Sequence, residues 1–225
     1  TRAPLTSVLH GRLCPDARLI ERYTPPANWM LISHGHYDHL LDAPHAARLT
    51  GAAVYASPQS CQLLDLLGIP ARQIHETRPG DRPIMGRIPY AGPLRAGLRP
   101  PLRAADYRMD ALHTFRVEVE GMALLFCGGL NAEPPVEADV VLVQVSGTPD
   151  QYWAILHNSR PRLLIPTHWD DLFRPLDELL RPIRELTPGG FPRLRRVDMG
   201  AFAALIRQLW PTVEVCIPAR FTRSL

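Results

Sequence analysis

Apolar and polar positions are spaced unevenly along the chain, and the spacing divides it into elements. Asn28–Ser33 (NWMLIS) is a short apolar run closing on a polar residue and predicts a buried strand. Leu40–Leu49 has helical spacing, and Gly51 follows as a C-terminal stop. Ala52–Ala56 (AAVYA) predicts a short strand. Ser57-Pro58 then supplies an N-cap and a first-turn proline for a helix through Leu67 that Gly68 ends. From Arg78 to Arg108 the text turns to proline, glycine and arginine with little periodicity. So long a structureless loop in a compact domain points to a functional flap or to unrecognised elements.

Order resumes at Phe115–Glu120, where alternation predicts a strand. Gly121 makes a turn and Ala123–Cys127 returns, giving a hairpin. Ala138–Val145 (ADVVLVQV) is continuously apolar, as in a strand covered on both faces. Further along, helices are expected at Pro149–His157, Pro175–Leu186 and Asp198–Trp210, and strands at Arg162–Pro166 and Val213–Ile217. Strands flanked by helical pairs, with no internal repeat, predict an α/β layered sandwich forming a single domain over residues 1–225.

Composition narrows the class. With 225 residues, 46% hydrophobic and 21% charged, the chain reads as a soluble globular protein. A chain of this length buries roughly 70% of its unfolded surface, so a metal site in it is not needed as a staple. No apolar run approaches the roughly 18 residues of a membrane span, and no signal-peptide pattern opens the sequence. The four cysteines lack any C-x-x-C spacing; Cys61 and Cys127 lie in apolar text, and a reduced, cytoplasmic protein is the expectation. A net charge of +3 is too small to suggest a nucleic-acid partner. Every basic side chain is arginine, which is a source-genome bias or a sign of an anionic small-molecule substrate; the count alone does not separate these.

The chemistry is concentrated in Ser33-His34-Gly35-His36-Tyr37-Asp38-His39-Leu40. Four potential ligands fall within six residues after an apolar strand. In an extended segment alternate side chains point the same way, so His34 and His36 can converge on one ion. The following turn can direct Asp38 and His39 to another. Imidazoles with a carboxylate are the donor set of zinc, with manganese or iron as further options.

H-x-H-x-D-H after an apolar strand resembles the signature of the metallo-β-lactamase superfamily. The flanking residues, Tyr37 and Leu40-Leu41-Asp42, are most similar to the ascorbate-6-phosphate lactonase-like branch, with N-acyl-phosphatidylethanolamine phospholipase D more remote. The resemblance implies a four-layer αββα sandwich with metals at one edge of two packed sheets. It assigns His34 and His36 to a first metal, Asp38 and His39 to a second, and His168, in Leu163-Leu164-Ile165-Pro166-Thr167-His168, to the second metal's last ligand.

Two departures stand out. The aspartate that bridges both metals is replaced by Gly129 in Phe126-Cys127-Gly128-Gly129, unless water or Glu133 substitutes. The first metal's third histidine normally follows a hairpin after a Gly-Asp pair, here Gly80-Asp81, but Arg82-Pro83 comes next. His113 is the nearest candidate; the alternative is a stretch omitted between Asp81 and Arg82, just as an N-terminal hairpin is expected to be lacking. Of the remaining histidines, His10 and His75 are expected in loops, His45 on a helix and His157 at a helix end, all structural.

The expected activity is metal-dependent hydrolysis of an ester, lactone or phosphodiester, in which a metal-bound hydroxide forms because the ion lowers the pKa of its water from near 16 to around 7. Asp38 would orient the nucleophile or take its proton, and His168 would act as an acid if the second site is empty. The Arg/Pro-rich loop 82–108 would lie near the site, with Arg87, Arg95 and Arg99 able to clamp an anion or merely to be solvated. A catalytically degenerate scaffold that binds metal or ligand is the alternative function.

Overall fold

The computed structural model describes residues 5–77, 92–130, 136–168 and 198–218. These residues form two compact units, divided between His113 and Thr114.

The first unit opens with α1 (Leu5–His10) and α2 (Ala17–Tyr23), neither of which the spacing predicted. Strand β1 (Trp29–Leu31) follows, then the short helix α3 (Tyr37–Leu40), α4 (Ala43–Thr50), β2 (Ala53–Ala56), α5 (Pro58–Leu66) and β3 (Ile74–Glu76). The strands make a parallel sheet in the order β1-β2-β3, with Met30 opposite Val54 and Val54 opposite Ile74. Parallel neighbours need long crossovers, which α3, α4 and α5 supply. Leu40, Ala47, Val54, Leu63, Leu64, Leu102 and Tyr107 fill the core beneath them.

Several expectations are corrected here. β1 is not a buried strand: among the described residues it lies at a sheet edge, with Trp29 64% and Leu31 37% exposed and Met30 half-buried between them. An apolar run alone does not distinguish an edge strand from a central one. The helix predicted over Leu40–Leu49 starts later, as α4 at Ala43: Leu40 ends α3, and Pro44, which lacks an amide proton, sits in the first turn of α4. His75 lies within β3 and His10 ends α1, so neither is in a loop.

The N-cap at Ser57 and the left-handed stops at Gly51 (φ 74°) and Gly68 (φ 82°) are as expected. Residues 78–91 lie outside the described residues, together with the Asp81–Arg82 junction and Arg87. Residues 92–108 are not structureless. A 3-10 turn at Ala104–Asp106 is closed by Asp106 accepting from the Arg103 amide. Arg12 donates to the carbonyls of Arg99 and Pro101, and Leu13 to that of Leu102. Hydrogen bonds to fixed neighbours replace periodicity as the source of order.

The second unit begins with the predicted hairpin, β4 (Thr114–Val119) and β5 (Met122–Cys127), turning through Glu120 (φ 51°) and Gly121 (φ 79°). Two left-handed residues in a row give the tight turn whose twist matches the strands. β6 (Val140–Gln144), α6 (Pro149–Ser159), β7 (Leu163–Thr167), α7 (Met199–Leu209) and β8 (Glu214–Val215) complete a sheet ordered β4-β5-β6-β7-β8, parallel beyond the hairpin. Val141, Val143, Leu164, Tyr152, Ile155, Phe202 and Ile206 form its core. The helix expected at Pro175–Leu186 lies outside the described residues. All four cysteines are free thiols, and among the described residues no helix is long and apolar enough to cross a membrane.

Candidate metal centre

The Ile32 amide donates to the carbonyl of Tyr55, carrying the β1–β2 pairing one residue past Leu31. The chain then leaves the sheet at Ser33, at the carboxyl end of a parallel strand, where ligand sites of α/β sheets are built. His34 is buried at 7% exposure and Ser33 at 2%. His36 has extended backbone geometry as the N-cap of α3, and its carbonyl accepts from the amides of His39 and Leu40. Leu40, fully buried, anchors the short helix.

This geometry brings the histidines together. The rings of His34 and His36 meet edge-on with centroids 4.6 Å apart, and those of His34 and His39 are 4.0 Å apart. Asp38 Oδ2 lies 3.3 Å from His39 Nε2. Ser33 Oγ lies 3.1 Å from His34 Nδ1 and 3.4 Å from His39 Nδ1. A hydroxyl has one proton to give, so at least one of these rings donates from Nδ1 and, when neutral, carries its lone pair on Nε2.

Gly35, between the two histidines, is required by packing. A Cβ there would stand 2.5 Å from the Arg108 carbonyl oxygen and 3.1 Å from Ser60 Oγ. That carbonyl is held by Gln59 Nε2 at 3.0 Å.

His113 enters the same neighbourhood through its backbone, donating its amide to the Ser33 carbonyl at 2.8 Å. Its Nδ1 is 3.1 Å from Thr77 Oγ1, and that hydroxyl donates to the Ala56 carbonyl. Thr77 has therefore spent its proton, so His113 donates from Nδ1 and keeps its lone pair on Nε2. Burial pushes the His113 pKa down, with Asp110 opposing, which favours the neutral, ligand-competent ring. Asp110 in turn accepts from Ser57 Oγ and the Gln59 amide at the start of α5.

His168 belongs to the second unit. It follows β7 directly, is exposed, and has a left-handed backbone (φ 58°), a conformation that costs a non-glycine residue about 1–3 kcal/mol and is concentrated at functional sites. In that unit Gly128 and Gly129 are buried just past β5, so position 129 offers no carboxylate; Glu133 lies outside the described residues. Of the loop arginines, Arg95 is 61% exposed and 3.6 Å from Asp106, and Arg99 is exposed. His45 pairs with Glu21, His75 stacks on Tyr55 and His157 stacks on Trp153. A groove of about 460 Å³ in the second unit is lined by Arg116, Glu118, Glu137, Asp139 and Arg160; its arginines face its own carboxylates, Arg116 pairing with Glu118 and Arg160 with Glu137.

Against solved structures, the chain aligns with Igni18, described as a novel metallo hydrolase from the hyperthermophilic archaeon Ignicoccus hospitalis. The TM-score is 0.54 at 19% identity, covering 86% of this chain and 76% of that one. The likeness is one of fold. No family model matches the sequence, and no curated protein matches it significantly. The fold is thus a mixed α/β one shared with a metallo hydrolase.

The supporting residues Ser33, Gln59, Thr77 and Asp110 escaped the sequence reading. Only Ser33, adjacent to the histidine cluster, carried a positional signal; the others come from elements 20 to 80 residues away in sequence.

Proposed function

We propose that this protein is a metal-dependent hydrolase of the metallo-β-lactamase type, a single domain with that family's αββα sandwich, acting on an ester, lactone or phosphodiester of a small molecule. The observation that carries the reading is the clustering of three imidazoles and a carboxylate in one loop, with ring centroids 4.0 and 4.6 Å apart and Asp38 against His39. The fold shared with a protein described as a metallo hydrolase supports it.

The donor chemistry fits zinc, or manganese or iron: nitrogen and oxygen ligands, with one buried ring held as the tautomer that presents Nε2. His34 and His36 would hold a first ion, joined by His113 through Nε2. Asp38 and His39 would hold a second, to which the sequence resemblance also assigns His168. A bound ion supplies a Lewis acid and a water acidic enough to attack at neutral pH. The protein's own groups do the rest. Asp38, 14% exposed, orients the attacking water through a carboxylate oxygen and takes its proton. His168 returns a proton to the departing oxygen where the second ion is absent.

Gly129 favours a second reading, a scaffold that binds an ion without turnover, because a glycine supplies no bridging charge to hold two ions together. Elemental mass spectrometry on full-length protein purified without chelator, paired with hydrolysis of nitrophenyl ester and bis-nitrophenyl phosphate probes, separates the two. One or two equivalents of metal with hydrolysis abolished in His36→Ala supports the enzyme. Metal without turnover supports the scaffold, and no metal regained on titration sinks both.

A further inference from the structure

We infer that Gln59 is a positioning residue for the metal centre, fixing the separation of His34 and His36 from behind; this rests on the metal reading above. Gln59 lies in the first turn of α5, 8% exposed, and each polar atom of its side chain is used. Nε2 donates at 3.0 Å to the carbonyl of Gly92 and at 3.0 Å to that of Arg108, while Oε1 accepts from the Leu94 amide at 3.1 Å. Its own amide is held by Asp110 Oδ2 at 2.9 Å. One side chain thus fastens both ends of segment 92–108.

The fastening reaches the histidines through Gly35. The Arg108 carbonyl held by Gln59 occupies the space that a side chain at position 35 would need, with its oxygen 2.5 Å from an ideal Cβ. Arg108 therefore lies directly on the backbone that joins His34 to His36. A second set of bonds keeps it there: Arg108 Nη1 donates to the Pro93 carbonyl and the Gly92 amide to that of Met109. If the clamp opens, the Arg108 carbonyl loses a buried donor and withdraws from Gly35, and the histidine loop loses its backing. Groups that orient metal ligands typically change metal affinity about 10–100-fold when removed.

The molecule contains its own control. Gln73 is equally buried at 8%, and its Nε2 clamps two carbonyls, Ala47 and Ala52, each at 3.0 Å, at the other side of β2 from the histidine loop. Gln59→Met and Gln73→Met remove the same chemistry. Metal-free thermal unfolding and cobalt(II) titration, followed by absorbance, would be measured on both and on Gln59→Glu, which keeps the shape and replaces the donor pair. The expected result is that both methionine variants lower the metal-free Tm. Only the Gln59 variants should weaken cobalt binding, by tenfold or more, with Gln73→Met within twofold of wild type. Equal cobalt affinity in wild type and in whichever Gln59 variant folds overturns the inference while leaving the metal centre intact. Wild-type protein that takes up no cobalt overturns the metal reading, and this inference with it.

Discussion

The two units differ in what they bury. The interior of the first holds Ser33, His34, Ser57, Gln59, Ser60, Gln73, Asp106 and His113 among its apolar residues, whereas Ser159 is the buried polar side chain among the described residues of the second. Burying a polar group without a partner costs roughly 1–3 kcal/mol, and satisfying it contributes only about 1 kcal/mol net. The first unit therefore gains little stability from this network. What it gains is fixed geometry: Ser33 between two imidazoles, Thr77 setting a tautomer, Gln59 seating a carbonyl. The second unit, with its sheet packed by Val141, Val143, Leu164 and Ile206, follows the ordinary economy of an apolar core.

This contrast should be visible in mutants, and the largest effect belongs to a pair. His36→Ala is expected to lower kcat/KM on a hydrolysed probe by about 100-fold or more, since even groups behind metal ligands cost 10–100-fold. Its metal-free stability should stay within about 0.5 kcal/mol of wild type, because the side chain is partly exposed. Leu164→Ala, fully inside the second core, should do the reverse, losing about 2–5 kcal/mol in denaturant unfolding while the folded fraction keeps its metal content. If His36→Ala destabilises as much as Leu164→Ala, the division of labour is wrong.

Gly35→Ala should combine both effects, more weakly. A methyl forced against a backbone carbonyl costs about 1–3 kcal/mol, as overpacking does, and cobalt affinity should fall with it. Retention of wild-type affinity would mean that the loop can relax without moving its histidines.

The smallest effect tests burial on either side of the comparison. Burial raises the Cys127 thiol to about 12, and burial, reinforced by Glu76 and Asp110, raises Cys61 to about 11. Both stay protonated at pH 8, and the thiolate is the reactive form. Iodoacetamide at that pH should label the exposed Cys14 and Cys216 first, as read by peptide mass spectrometry. Early labelling of Cys127 would show the second core to be open.

How much of this could be read from the sequence varies with the range of the forces involved. Local signals were legible: the Glu120-Gly121 hairpin, the Ser57 cap, the glycine stops and the clustered ligands, which all depend on neighbours in sequence. β3 was missed because three residues carry too little pattern, and β1 was misjudged because edge position depends on topology rather than on its own residues. The order in 92–108 was invisible for the same reason: it comes from Arg12, Gln59 and Leu13, distant in sequence. The cluster was announced by its residue types, while its supports looked like ordinary polar positions.

The close approach of Arg108 to Gly35 has an evolutionary consequence. A histidine ligand can drift to another donor, or be lost with the activity, while the loop stays folded. Position 35 has no such latitude, because every alternative side chain begins with a Cβ that meets the same carbonyl. In descendants of this chain the glycine should outlast the histidines on either side of it, as a record of the loop's former purpose.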